Sequence, residues 1–399
     1  MTKPPARPVV RMRPKTSARA VRFGAPWVYA DELVLDRRTR AIAPGTVVEL
    51  HGNDRRPLAA AAFNPNSKIA IRVLDSDPAA KIGSEWLAEK FRRALALRED
   101  LFDAPYYRLC HAEADGLPGL IADRFGDTIV VQPNSAWAAA VLDTAVDALA
   151  SVSGASALVV NGTGRARALE GLDSGIRVLR GKVDGPLDVP MNGAVYKADL
   201  LGGQKTGLFY DQRPNHALAA RLARGRDVLD VFAHVGGFSL AALRQGAASA
   251  LAVDASAAAL ELAAGGALAT GVSDRFSTQR SDAFEAMASL RDARRRFGLV
   301  VCDPPAFAPN RASLVAGLRA YEKVARLAAS LVRPGGFVVL CSCSHAAGLP
   351  AFREACLRGV GRAGRQAQII HTGTAGPDHP VHPYLAESAY LKALFLRLD

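Results

Sequence analysis

Along the chain, the spacing of apolar and polar positions changes character twice. Residues 46–50, 58–63 and 68–73 read as short strands, separated by the turn formers Gly52-Asn53-Asp54 and Asn64-Pro65-Asn66. After Asp75-Ser76-Asp77-Pro78, Leu87, Phe91, Leu95 and Phe102 recur at helical spacing and predict a helix over 84–102. A turn at Asp115-Gly116-Leu117-Pro118-Gly119, a strand at 128–132, a helix from 135 to 150 and a strand at 157–160 complete a compact α+β module. The polar, glycine-bearing stretch 181–193 marks a boundary, with 191–198 as a hairpin strand. Beyond it, apolar strands at 227–232, 248–253, 275–279, 298–302 and 336–341 alternate with helical segments, the signature of a doubly wound parallel sheet. Strands at 367–372 and 390–396 would close its edge.

The 399 residues, 49% hydrophobic and 22% charged, fit an α/β multidomain protein rather than a disordered or fibrous chain. The pattern divides them into a small β domain with a basic N-terminal arm (1–80), a central α+β domain (81–190) and an α/β domain (191–399). Charged or polar residues interrupt every apolar run before it reaches the roughly 18 residues that a membrane span needs. With 50 Lys and Arg against 38 Asp and Glu, the net charge of +12 favours a polyanionic partner. Lys3, Arg7, Arg11, Arg13, Lys15, Arg19 and Arg22, with no acid among the first 30 residues, read as an irregular basic arm. Five unevenly spaced cysteines do not form a disulfide framework and fit a reducing cytoplasm. Cys341, Cys343 and His345 lack a second ligand pair at finger-like spacing, so no metal is expected.

In an open α/β sheet, ligands bind outside the carboxyl ends of the strands. Asp230 stands in Val228-Leu229-Asp230-Val231-Phe232, just before a turn containing Gly236-Gly237, where paired glycines allow close backbone approach. That turn lacks a full dinucleotide fingerprint. Asp254 ends the next strand, where an acid can hold ribose hydroxyls, and Asp282 follows the third. Each of these acids could equally cap a helix; together they point to a nucleoside-containing ligand. Asp303-Pro304-Pro305 ends the fourth strand in a rigid turn, and the fifth runs into Cys341-Ser342-Cys343-Ser344. A buried cysteine is usually an inert small hydrophobe, but strand-end placement beside Asp303 singles one out as a nucleophile.

Taken with residues 201–213, these blocks resemble the class I S-adenosylmethionine-dependent methyltransferases that modify cytosine C5 in bacterial large-subunit ribosomal RNA. Further matching segments are Ala25-Pro26-Trp27-Val28-Tyr29, Glu113-Ala114-Asp115-Gly116-Leu117-Pro118, Asp123-Arg124-Phe125-Gly126, Asp378-His379-Pro380 and Tyr390-Leu391-Lys392. The resemblance implies a PUA domain for the small β unit and a Rossmann-like methyltransferase domain at the C-terminal end. It further implies S-adenosyl-L-methionine as cofactor. Asp230 and Gly236 would line its methionine part, Asp254 the ribose and Asp282 the adenine, with Phe209 and Arg213 closing the pocket. Cys343 aligns with the nucleophile and Asp303 with the group that faces the target base; Cys341 is expected to pack.

The implied partner is large-subunit ribosomal RNA, in the cytoplasm, with no membrane and with homodimer formation left open. Trp27 and Tyr29 are candidate stacking residues that could instead be core. His234-Val235 replaces a common Tyr-Thr, Ala306 a common Lys and His345 a common Gly, departures that bear on base choice and rate. Two alternatives stay open at this level: methylation of another base such as guanine N7, and an RNA-binding module without turnover.

Overall fold

The computed structural model describes residues 7–202 and 207–399. The chain divides into two compact units: one runs to residue 184 and takes in 378–388, and the other comprises 185–377 and 389–399.

The first unit holds two five-stranded sheets. Strands β1 (Val9–Arg11), β2 (Trp27–Val28), β3 (Thr46–His51), β4 (Pro57–Phe63) and β5 (Ile71–Asp75) are ordered β1-β3-β4-β5-β2, with β1 parallel to β3 and the other pairs antiparallel. The supposed irregular arm is therefore woven into the fold from residue 9 onward. Its strand is hard to read because arginines alternate with the apolar positions, and Val10 and Met12 turn inward, 0% and 2% exposed. Residues 1–6, including Lys3, lie outside the described residues. The fifth strand begins three residues later than its pattern implies, because Asn64 extends the turn by accepting from the Asn66 amide.

Helix α1 (Ser84–Leu101) buries Leu87, Phe91, Ala94 and Leu95 against the second sheet. That sheet contains β6 (Tyr106–His111), β7 (Leu120–Phe125), β8 (Thr128–Pro133), β9 (Ala157–Asn161) and β10 (Ile176–Arg180), ordered β10-β9-β8-β7-β6. Helix α2 (Leu142–Ser153) lies between the parallel neighbours β8 and β9 in sequence. The helix expected from residue 135 is broken at Val141, with Ala136–Ala140 forming a separate turn and a half.

Buried charge holds the first unit together. Arg98, fully buried, makes two bonds to Asp115 at 2.6 and 2.8 Å, and Arg108 makes two to Asp123 at 2.8 and 2.9 Å. The same arginines fix the 378–388 segment: Arg98 donates to the Asp378 carbonyl, and the Arg108 amide donates to the Asp378 carboxylate. Where the small sheet meets the central one, Glu170 accepts from Asn64, Ser67 and the Ala136 amide and pairs with Arg72. Arg72 also pairs with Glu113, which accepts from the indole of the partly buried Trp27 at 2.8 Å. Tyr29 remains 45% exposed.

The second unit opens with a hairpin, β11 (Leu187–Met191) and β12 (Ala194–Ala198). Asn192 and Gly193 both take positive φ, as a two-residue turn of this kind requires. Then come α3 (Arg213–Leu222), β13 (Asp227–Val231), α4 (Gly237–Arg244), β14 (Ser249–Asp254), α5 (Ala257–Thr270), β15 (Phe276–Arg280), α6 (Ala283–Asp292), β16 (Phe297–Cys302), α7 (Leu314–Leu331), β17 (Val332–Ser342), α8 (Leu349–Arg362), β18 (Ala367–Gly373) and β19 (Lys392–Leu398). Seven of these strands form one sheet, β15-β14-β13-β16-β17-β19-β18. The first five are parallel, and β19 runs antiparallel to both neighbours. Every residue of β16 is buried, as befits a central strand covered on both faces. Strand order reverses between β13 and β16, which opens a crevice at their carboxyl ends. No helix among the described residues is long and apolar enough to cross a membrane.

Replacing Glu170 by Ala strands four donors in a buried seam. The expected loss of stability is about 3 kcal/mol, measured as a lower urea midpoint with an unchanged m-value.

Candidate active site

Strands β15, β14, β13, β16 and β17 end side by side, and each delivers one of the singled-out residues to the same edge of the sheet. The structure places these residues differently in detail.

Asp230 sits one residue inside the end of β13 and is 1% exposed. Its Oδ2 accepts from the Ser239 amide at 3.0 Å and from the Ser239 hydroxyl at 2.7 Å, tying the strand to the first turn of α4. Its Oδ1 is buried and has no hydrogen-bond partner among the described residues. Burial raises the carboxyl to about 6; the Ser239 bonds oppose this rise and the nearby charge of Asp254 adds to it.

Between β13 and α4 the backbone is held in an unusual shape: Phe232, His234 and Gly236 take φ of 63°, 49° and 80°. Two of the three are not glycine, so the loop carries strain that its neighbours must hold. Asp254 supplies part of that hold, since its Oδ2 accepts from the His234 amide at 2.9 Å and its Oδ1 from the Ser256 amide at 2.8 Å. From beneath, the buried His216 ring packs edge-on against Phe238 at 4.4 Å, and a Cβ on Gly237 would stand 2.6 Å from it. Burial and the Arg213 charge drop His216 to about 3, so it is a neutral wedge at physiological pH. Phe209 reaches the same loop, its ring centroid 5.0 Å from that of His234. Arg213 begins α3, with its guanidinium 5.4 Å from the centre of the Tyr210 ring. Gly203, Gln204, Lys205 and Thr206, part of the 201–213 block, lie outside the described residues.

Asp282 is exposed and caps α6, its Oδ1 accepting from the Phe284 and Glu285 amides. That is the helix-capping alternative, although the residue stands at the same sheet edge.

Asp303, half-buried, follows β16, and its amide reaches the Val231 carbonyl at the strand-order reversal. Gln212, which sequence reasoning noted only as part of a block, donates from Nε2 to Asp303 Oδ2 at 2.9 Å. Gln212 is oriented in turn by Asn215, which donates to its Oε1 at 2.7 Å and to the Thr374 carbonyl.

Of the five cysteines, Cys110, Cys302, Cys341 and Cys356 are buried, and only Cys343 is partly open. Burial and the neighbouring Asp303 charge push the Cys341 thiol far up, against a weaker opposing bond from Gln212; it is packing, as expected. Cys343 stands just past β17 in a turn whose flanking hydroxyls are fully engaged. Ser342 donates to the Tyr321 hydroxyl at 2.8 Å, which also bonds Ser344 at 2.7 Å, and Ser344 accepts from the Ala308 amide at 3.0 Å. Behind them Lys392 donates to the carbonyls of Ser344 and Ala347. Tyr321 and Lys392 carried no legible role in the sequence, because their partners lie 21 to 48 residues away.

A buried, unpaired carboxylate oxygen below a strained glycine turn, with a second acid at the adjacent strand end, fits a polar ligand bearing both an amine and ribose hydroxyls. The donor set therefore suits S-adenosylmethionine: Asp230 and the 232–238 loop for its amino-acid part, and the remaining lone pairs of Asp254 for its ribose.

Comparison with known proteins agrees with this arrangement. The sequence profile described as S-adenosylmethionine-dependent methyltransferase matches residues 136–397, and a PUA-like domain profile matches 10–76. The ribosomal RNA large subunit methyltransferase I of Shewanella denitrificans is 33% identical over 378 residues, covering 94% of this chain and 95% of that protein. The ribosomal RNA large subunit methyltransferase of Deinococcus radiodurans is 34% identical over 411 residues, covering 99% of each. In fold, the chain resembles a solved structure assigned as a methyltransferase and complexed with SAH (TM-score 0.83, 18% identity, 98% of this chain and 100% of that one).

Since Asp230 is raised above its ordinary value of 3.8, its protonated form favours the fold. That contribution is complete below pH 4 and is lost as pH rises through about 6. Asp230→Asn should flatten this decline, which amounts to on the order of 2–3 kcal/mol, in urea titrations between pH 4 and 7 without ligand.

Proposed function

The chain belongs to the S-adenosylmethionine-dependent methyltransferases, and from that premise we propose that it forms 5-methylcytidine in large-subunit ribosomal RNA through a transient covalent bond from Cys343. The observation that carries the reading is that the one cysteine open to a ligand stands in a braced turn beside the strand that bears Asp303. The names of relatives matched along nearly their whole length support ribosomal RNA as substrate, as does the net charge of +12.

Cytosine C5 is too weak a nucleophile to be alkylated unaided. A Cys343 thiolate adding to C6 forms an S–C6 bond and drives the C5–C6 π pair through the ring toward N3, leaving C4–C5 with enamine character. The Asp303 carboxyl, in its protonated form and steadied by Gln212, gives its proton to N3 as negative charge develops there and recovers it when the sulphur leaves. Bound S-adenosylmethionine supplies a methyl group on a positively charged sulphur, the electrophile that this activated carbon requires. Loss of the C5 proton to a base then expels the Cys343 sulphur, which returns as thiolate. Asp230, the 232–238 loop, Asp254 and Asp282 hold the cofactor, and Phe209 and Arg213 close over it.

The target base has to leave its stack to reach a strand-end pocket, at a cost of a few kcal/mol. This is a reason for separate RNA-holding domains, for which we keep the division 1–80, 81–190 and 191–399. The separate sheets β1–β5 and β6–β10 support the first boundary, while the second falls within β11.

Two measurements test the proposal. Cys343→Ala should lower methyl transfer to ribosomal RNA by on the order of 10³-fold or more while cofactor binding by calorimetry persists; undiminished transfer refutes covalent catalysis. Nucleoside mass spectrometry of large-subunit ribosomal RNA from cells lacking the protein should show loss of 5-methylcytidine, and loss of a different mark, such as 7-methylguanosine, would overturn the base assignment.

A further inference from the structure

Against the turn bearing Cys343 lies a buried cation to which the covalent reading gives no task. Lys392 begins β19, opposite Ser342 in the antiparallel register, and is 7% exposed. Its ammonium donates to the Ser344 carbonyl at 2.7 Å and to the Ala347 carbonyl at 2.9 Å, both in the segment that follows Cys343. Neutral carbonyls alone compensate poorly for removing an ammonium from water, and no carboxylate pairs with it among the described residues. Burial pulls Lys392 below the ordinary lysine range, and the negative charge of a Cys343 thiolate is the one interaction acting against that pull.

Other ionisable groups also face the turn. Asp303 after β16 opposes, when ionised, a thiolate at the neighbouring Cys341. Tyr321 on α7 is held neutral by burial, an effect to which a Cys343 thiolate adds. Exposed His345 packs its ring 5.6 Å from Tyr390. Lys392 is a cation fixed in the wall of the turn.

We propose that Lys392 is a positioning residue for the methyl-transfer reaction, its ammonium both clamping the 344–347 backbone and stabilising the Cys343 sulphur as a thiolate. The inference rests on the covalent reading for its purpose, since only a nucleophile needs that charge state. A purely structural lysine would hold the turn without changing when the thiol ionises.

The test labels the full-length protein with iodoacetamide across pH 5.5 to 9.5 and follows carboxamidomethylation of the Cys343 peptide by mass spectrometry. In Lys392→Met the midpoint of the rate profile should move up by about one pH unit, with labelling at pH 7 about tenfold slower. Lys392→Arg, which keeps the charge, should stay close to wild type. Lys392→Gln retains a donor for the carbonyls, so a shifted midpoint in this variant also separates charge from clamping should the Met variant fail to fold. Unchanged midpoints in the folded neutral variants overturn the proposal. Full methylation by Cys343→Ala would overturn the covalent reading instead and leave the labelling result standing.

Discussion

A strand that ends inside a protein leaves amide and carbonyl groups that must be bonded by something other than the next strand. At the carboxyl end of β17 this requirement shapes the site. The backbone and hydroxyls of 342–347 are met by a phenol from α7, an amide from the loop after Asp303 and an ammonium from β19. Each contributor arrives from a different element, so the turn has little freedom to relax, and the sulphur it carries has a fixed address. On the proposed reading, the remaining features bring other reactants to that address.

Two strands away, the same edge is built on the opposite chemical principle. Asp230 is buried with one oxygen satisfied and the other not among the described residues, and the loop above it is bent into backbone shapes that side chains resist. Both features cost stability, and a ligand of suitable polarity would relieve both. The two halves thus divide the work. Around Cys343, polar groups bond one another and rigidity results; around Asp230, one oxygen is left for a ligand on the proposed reading. Asp303 and Gln212 stand at the seam between them, where the strand order reverses.

Much of this arrangement was legible in the sequence. Strands with continuous apolar runs, such as 297–302, announce themselves, and the acids at their ends are conspicuous because charge at the end of an apolar run calls for a reason. Local spacing failed where long-range pairing decided the outcome. The first strand was hidden by arginines that alternate outward from Val10 and Met12. Asp282 could be read as ligand or cap from its neighbours alone, and the structure gives it the cap's geometry. Tyr321, Gln212 and Lys392 matter through partners distant in the chain, and no periodicity encodes such a pairing.

The route of the chain between β18 and β19 has a consequence of its own. Having laid down the edge strand of the second unit, the polypeptide leaves for residues 378–388, where buried arginines of the first unit grip Asp378, and only then returns to insert β19 between β17 and β18. Neither unit is complete as an uninterrupted stretch of sequence. A protease cut or a cloning boundary near residue 185 would part the first unit from residues 378–388, so that body completes its interior only once nearly all of the second has been synthesised.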